Sequence, residues 1–142
     1  MKYSWEINRN GKYFNLNKFN ELVGNVEKII KLSNIDIRDQ NAKDPYVLNH
    51  NIISFNGNFK TFDHHESFVL KRIPPIKCIT QYSECDTGNK PYDEVVAAAL
   101  LLLKHTFPEQ VKLFPPEVND NWKRGYNLAN QIAPLESLEV LL

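Results

Sequence analysis

Apolar and polar residues alternate at the start of the chain, which is the pattern of a strand with one buried face. The apolar positions are Tyr3, Trp5 and Ile7. Asn10-Gly11 is typical of a tight hairpin turn, so residues 12–16 are expected to return as a second strand.

A helical pattern follows this hairpin. Apolar residues recur at helical spacing from Phe19 to Ile30, and Asn17 is the expected N-cap. Residues 33–45 are polar and predict a linker or an irregular strand. The N-terminal block, residues 1–45, is therefore predicted as β-β-α and is too small to bury its apolar faces alone.

Three strand-like segments occupy the middle of the chain. They run from Tyr46 to Phe55, from Phe59 to Leu70 and from Ile76 to Tyr82. Asn56-Gly57 closes the first, and Pro74-Pro75 precedes the third. Turn signals at this spacing predict an antiparallel sheet.

Two helices and a short strand complete the pattern. We expect a helix from Pro91 to about Phe107, a strand from Val111 to Phe114 and a helix from Asp120 to Ala133. The predicted fold is thus α+β, an antiparallel sheet packed with two C-terminal helices and preceded by the β-β-α block. We expect a single domain over residues 1–142, with a core over 46–134 and an apolar tail, 135–142, that docks.

The first of these helices has almost no polar face between Val95 and Leu103. A helix that is apolar all round is buried, and a small sheet can cover only one side of it. The other side is expected to pack on another helix or on a second copy of the chain. We favour a homo-oligomer; the alternative is a fully internal helix.

Composition narrows the class of protein. Lys+Arg and Asp+Glu both number 17, so the formal net charge is zero and no DNA partner is expected. The longest apolar run is too short to span a bilayer, and the opening residues do not resemble a signal peptide. Two cysteines do not indicate a disulfide scaffold. These features favour a soluble, reducing, intracellular setting without a membrane partner.

No complete catalytic set is recognisable. Asp63-His64-His65-Glu66 invites a metal or phosphoesterase interpretation, but the further aspartate motifs of that chemistry are missing. Cys85 lies near a helix N-terminus, which favours a thiolate, and the simpler interpretation is a structural thiol. Neither a P-loop nor a dinucleotide-binding glycine fingerprint occurs. We therefore expect a non-enzymatic protein without metal or cofactor.

A binding site is indicated where a polar turn meets the apolar helix. The turn offers a hydroxyl, a flexible backbone, an amide and a cation, from Thr87, Gly88, Asn89 and Lys90. Pro91 suits the first helical position, and Asp93 and Glu94 suit the first turn. Such groups at a helix N-terminus favour an anion such as phosphate. The alternative is an ordinary loop with helix capping.

Side chains from the preceding strand extend this candidate site. Phe68 or Tyr92 offers a stacking face for a base, and Arg72, like Lys90, offers charge for a phosphate. Glu66 and Asp93 offer acceptors for a sugar hydroxyl or an amine. The alternatives are a core position for Phe68 and solvated surface positions for the cations.

These segments resemble a family of small phage and prophage proteins with the pattern F-N-G…H-E-T-F…R…C-K-T-x-R-K-P-Y-D-x-V-V. The similar segments here are Phe55-Asn56-Gly57, His65-Glu66-Ser67-Phe68, Arg72 and Thr87 to Val96. The resemblance covers roughly residues 50–105, and the N-terminal block looks like an addition. Ser67 replaces a threonine, and Asp86 and Asn89 replace cations, so those two positions offer no charge to a phosphate.

The family pattern is similar to that of the phage anti-Thoeris sponges. The resemblance implies a phage protein, in the host bacterial cytoplasm, that binds and sequesters a cyclic ADP-ribose-type signal, with cyclic oligonucleotides as further ligands. The alternative from the residues is a phage interaction protein that binds a host protein or nucleic acid. An enzyme acting on nucleotides ranks third.

Overall fold

The computed structural model describes residues 1–9, 12–73, 80–115 and 119–142. The strands in this part of the chain are β1 (Lys2–Asn8), β2 (Val47–Leu48), β3 (Ile52–Phe55), β4 (Phe68–Lys71), β5 (Thr80–Asp86) and β6 (Val111–Leu113). The helices are α1 (Leu16–Ser33), α2 (Asp93–Thr106), α3 (Asp120–Asn130) and α4 (Leu138–Leu141). The fold is α+β with antiparallel strands, as predicted.

The described strands form two three-stranded sheets rather than one. In the first sheet, β1 lies between β5 and β6, with Trp5 opposite both Ser83 and Leu113. In the second sheet, β3 lies between β2 and β4, with Ile53 opposite Leu70. The strand that begins the chain thus sits at the centre of a sheet built with much later strands.

The N-terminal block matches its predicted order only roughly. Residues 12–15 form no strand, and Asn10-Gly11 lies outside the described residues. Helix α1 is capped by Asn15, not Asn17: Lys18 N donates to Asn15 Oδ1 at 3.0 Å. Phe14, expected in the returning strand, is buried, and its ring centroid lies 4.3 Å from that of Phe107. Because Phe14 packs against the end of α2, residues 12–15 lie beside that helix and do not return as a hairpin strand.

The middle strands are shorter than predicted. The first predicted strand is split into β2 and β3, where Asn49 Oδ1 accepts from Ile52 N at 3.1 Å. Residues 59–67 form turns and irregular structure instead of strand. The third segment begins as β5 at Thr80 and continues to Asp86; residues 76–79 lie outside the described part.

Helix α2 is the centre of the core. Every residue from Val95 to Leu103 is at most 2% exposed within one copy of the chain. Helix α3 approaches closely, because a Cβ added to Gly125 would lie 2.5 Å from Ala97 Cβ. The apolar helix is therefore the fully internal one, and its apolar surface gives no support to the predicted homo-oligomer.

Side chains in the described ranges join the two sheets. The buried Phe68 ring of the second sheet lies 5.3 Å from the Trp5 ring of the first, between centroids. The buried Arg9 guanidinium donates to Arg72 O at 2.8 Å and to Lys71 O at 3.0 Å. In the C-terminal segment, the Leu138 and Leu141 side chains of α4 are buried.

Candidate functional site

The turn between β5 and α2 has a tight and specific conformation. Gly88 and Asn89 have φ values of +57° and +55°, the left-handed region that glycine and asparagine tolerate best. Gly88 N donates to Asp86 Oδ1 at 2.9 Å, and this hydrogen bond is the main cause that lowers the pKa of Asp86. A side chain at Gly88 would collide with the His65 ring, whose Cδ2 lies 2.7 Å from the Cβ position.

The N-terminus of α2 is occupied by a carboxylate of the helix itself. Asp93 is buried, and its Oδ2 accepts from the Tyr3 hydroxyl at 2.6 Å. The Thr87 hydroxyl donates to the other carboxylate oxygen, Oδ1. Burial, followed by the hydrogen bond to Asp93, raises the pKa of Tyr3 above its ordinary value. An anion placed directly on this helix end would meet the buried negative charge.

The amino group of Met1 lies beside the same turn. It donates to Asn89 Oδ1 at 2.8 Å and to Thr87 Oγ1 at 3.2 Å. It also lies 3.8 Å from Asp93 Oδ1. The hydroxyl and the amide oxygen that we expected to meet a ligand are thus engaged inside the chain.

The two candidate stacking rings are both inaccessible. Phe68 packs between Trp5 and Phe55, and Tyr92 is fully buried, so neither ring offers a face to a ligand. This corrects the expected stacking role, because the strand alternation turns Phe68 toward the core. Burial raises the pKa of Tyr92, whose hydroxyl donates to Glu66 O.

Glu66 and Arg72 lie at opposite ends of β4. Glu66 joins the turn, since its Oε1 accepts from Asp86 N at 2.9 Å. Arg72 donates through Nε to His50 O at 3.1 Å. The four residues of β4 lie between them and alone rise roughly 13 Å along the strand. The expected convergence of Arg72 with the turn is therefore wrong.

An open groove of about 490 Å³ lies beside the turn, against α3. Three of the predicted site residues line it, namely Asn89, Lys90 and Asp93. The other lining residues are Ile35, Pro91, Glu94, Asn121 and Arg124. The structure thus replaces the strand residues of the predicted site with residues of α3 and of the segment after α1.

Sequence reasoning missed Arg124 because only tertiary packing carries it to the turn. Gly125, the next residue, lets α3 approach the α2 backbone, with its Cβ position 2.9 Å from Ala98 N. A glycine inside an amphipathic helix was the available signal, because it marks a close helix contact. Arg124 is next to this glycine in the sequence and therefore lies near the edge of the contact between α3 and α2.

Charges of both signs line the groove. Arg124 Nη2 donates to Asn121 Oδ1 at 2.7 Å, one helical turn away, which orients the guanidinium. Lys90 and Glu94 form no side-chain hydrogen bond or ion pair with any residue in the described ranges. Two cations and one carboxylate are therefore available to a ligand, while the Asp93 carboxylate is already bonded.

Cys85 and His65, which the sequence offered as candidates for chemistry, contact other parts of the protein instead. Cys85 is buried, and burial, with the nearby Glu66 charge, raises the pKa of its thiol to about 12. The thiol is thus protonated at neutral pH, as expected of a structural cysteine. His65 Nδ1 lies 2.7 Å from Asp86 O, in the turn contact. Within the described residues, no group of three or more His, Cys, Asp or Glu side chains is placed to hold a metal.

None of the helices in the described ranges has both the length and the hydropathy needed to cross a bilayer. Comparisons with protein-family models, with curated proteins and with solved structures found no match to this chain.

Proposed function

We propose that this protein is a non-catalytic binding protein that sequesters a small phosphate-bearing nucleotide in the groove between the turn and α3. The observation that carries the proposal is the pair of cations, Lys90 and Arg124, on one groove of about 490 Å³. Small-molecule sites are commonly clefts of about 300–1,000 Å³ with a few placed polar groups.

Each available side chain has a role in this proposal. Arg124 and Lys90 bind the phosphate oxygens, Arg124 through its planar fork and Lys90 as a point charge. Glu94 accepts from a ribose hydroxyl, and the Asn121 amide meets the edge of a base. The apolar part of the ligand lies on Ile35 and Pro91, which line the same groove.

The type of nucleotide comes from the resemblance described above. It supports a cyclic ADP-ribose-type signal, and with it a phage protein that removes this signal in the host bacterium. Such a role needs only tight binding, since a sequestered signal is withheld from its receptor without being broken down.

Isothermal titration calorimetry against cyclic ADP-ribose, its glycocyclic isomers, cyclic dinucleotides and ADP-ribose tests the proposal. We expect saturable one-to-one binding per chain to at least one cyclic nucleotide. The ligand released by denaturation should have an unchanged mass and retention time. A chemically altered ligand would favour the enzyme interpretation, and no binding across the panel would contradict the proposed ligand class.

A further inference from the structure

The groove beside the turn combines two cations with a carboxylate, and the contact between α2 and α3 places that carboxylate. A Cβ added to Gly125 of α3 would lie 2.5 Å from Ala97 Cβ and 2.9 Å from Ala98 N of α2. Glu94 precedes Ala97 by three residues, so it lies on the same face of α2, one turn closer to the helix N-terminus. Glu94 is half-buried and lines the groove, and it therefore faces α3.

The two cations come from two elements that flank the start of α2. Lys90 belongs to the turn that precedes the helix, and Arg124 belongs to α3, next to the close contact at Gly125. Burial is the main cause that raises the pKa of Tyr3, and the positive charge of Arg124 opposes it, so the guanidinium lies within electrostatic range of the hydroxyl that binds Asp93. Phosphates that reach from one cation to the other therefore pass the carboxylate that lines the same groove.

The Glu94 charge is not neutralised before a ligand binds. Its carboxylate forms no hydrogen bond or ion pair with a side chain in the described ranges. A terminal phosphate carries about 1.5–2 negative charges at neutral pH, more than the single charge of a phosphodiester. Like charges placed together cost free energy, and a specific site commonly uses such a repulsive element against the wrong ligand. A carboxylate beside two cations therefore limits how much negative charge the groove accepts.

We propose that Glu94 determines which nucleotides the groove accepts: it admits those whose phosphates are all internal, as in a cyclic nucleotide, and repels those that end in a phosphate, such as ATP. The carboxylate accepts a hydrogen bond from a ligand hydroxyl and keeps a further phosphate away. ATP and related linear nucleotides are abundant in cells, so two cations without this carboxylate would bind them in place of a signal. This inference rests on the proposed function, since it concerns the ligand of the same groove.

Calorimetric titration with ATP, inorganic pyrophosphate and the cyclic nucleotide that the wild-type chain binds most tightly tests this role. Glu94→Gln keeps the size and an acceptor oxygen of the side chain but removes its charge. The variant should bind ATP and pyrophosphate at least tenfold more tightly than the wild-type chain does, with a smaller change for the cyclic nucleotide. Glu109→Gln removes the same charge from an exposed position beyond the far end of α2 and should leave all three affinities unchanged.

The pyrophosphate titration separates the role of Glu94 from the identity of the nucleotide. A gain in pyrophosphate affinity that is no larger in Glu94→Gln than in Glu109→Gln would overturn the inference, even if the wild-type chain binds a cyclic nucleotide. An unchanged ratio of cyclic-nucleotide affinity to ATP affinity in Glu94→Gln would overturn it as well. A tenfold gain for pyrophosphate without binding of any cyclic nucleotide would support the repulsive role of Glu94 and contradict the proposed function.

Discussion

The two halves of the predicted site differ in what their residues do. The strand half, residues 66–72, holds the molecule together: Phe68 joins the two sheets, and the backbone of Arg72 accepts from Arg9. The turn half, residues 87–93, lines a groove with Asn89, Lys90 and Asp93. Residue types suited to a ligand are equally suited to packing, so only the fold decides which half is free to bind.

The largest expected effect concerns the structural half. Phe68→Ala should lower the free energy of unfolding by about 3–5 kcal/mol, because it leaves a cavity between Trp5 and Phe55. Phe62→Ala, at an exposed ring, should change the free energy of unfolding by less than about 0.5 kcal/mol. Urea unfolding of both variants measures the difference. Equal stabilities for the two variants would show that Phe68 does not join the sheets.

The turn half also stabilises the fold, through the buried hydrogen bonds that the Asp93 carboxylate accepts. Tyr3→Phe and Thr87→Val each remove a hydrogen bond to the Asp93 carboxylate and should each cost about 1–3 kcal/mol. The two effects should not add in the double variant, since both hydroxyls serve one carboxylate. Tyr82→Phe, at an exposed hydroxyl, is the control for urea unfolding. Full additivity would contradict a shared network.

The free energy of unfolding should also depend on alkaline pH. The pKa of Cys85 is raised from 9.0 to about 12 by burial, so above pH 9 the unfolded chain loses a proton that the folded chain keeps. The free energy of unfolding therefore falls as pH rises from 9 toward 12, by up to about 1.4 kcal/mol per pH unit for one such group. Tyr3 and Tyr92, whose pKa values are also raised, add to this fall above pH 10.

Cys85→Ala separates the thiol from the tyrosines. Its unfolding free energy, measured by urea at a series of pH values, should fall less steeply between pH 9 and 12 than that of the wild-type chain. The same slope in both proteins would show that the Cys85 thiol is not buried in solution.

Local periodicity predicted where helices and strands occur better than it predicted which strands pair with each other. The alternation of Tyr3, Trp5 and Ile7 indicated β1, and the apolar run after Pro91 indicated α2. Nothing local indicated that β1 pairs with β5 and β6, because these pairings join residues about 80 and 100 positions apart. Asn10-Gly11 favoured a nearby partner, whereas the burial of Phe14 against α2 depends on long-range packing.

The candidate site could likewise be predicted only where its residues are neighbours in the sequence. The turn residues follow one another in sequence, so their joint position at the start of α2 could be predicted. Arg124 and Ile35 reach the groove only through the packing of α3 and the end of α1, which no spacing along the chain records. Arg72 was expected to join the turn residues in one site, but it follows the end of β4 that points away from the turn, because the length of the strand sets its distance from the turn.

We propose that the ligand binds in the groove and not at the strand half. Titration of a bound cyclic nucleotide into Lys90→Ala/Arg124→Ala should show at least a tenfold loss of affinity, since each charge-assisted hydrogen bond contributes about 1.5–3 kcal/mol. Arg72→Ala, and Lys28→Ala on the exposed side of α1, should bind like the wild-type chain. Unchanged affinity in the folded double variant, with a loss in Arg72→Ala, would place the ligand at the strand half instead of the groove.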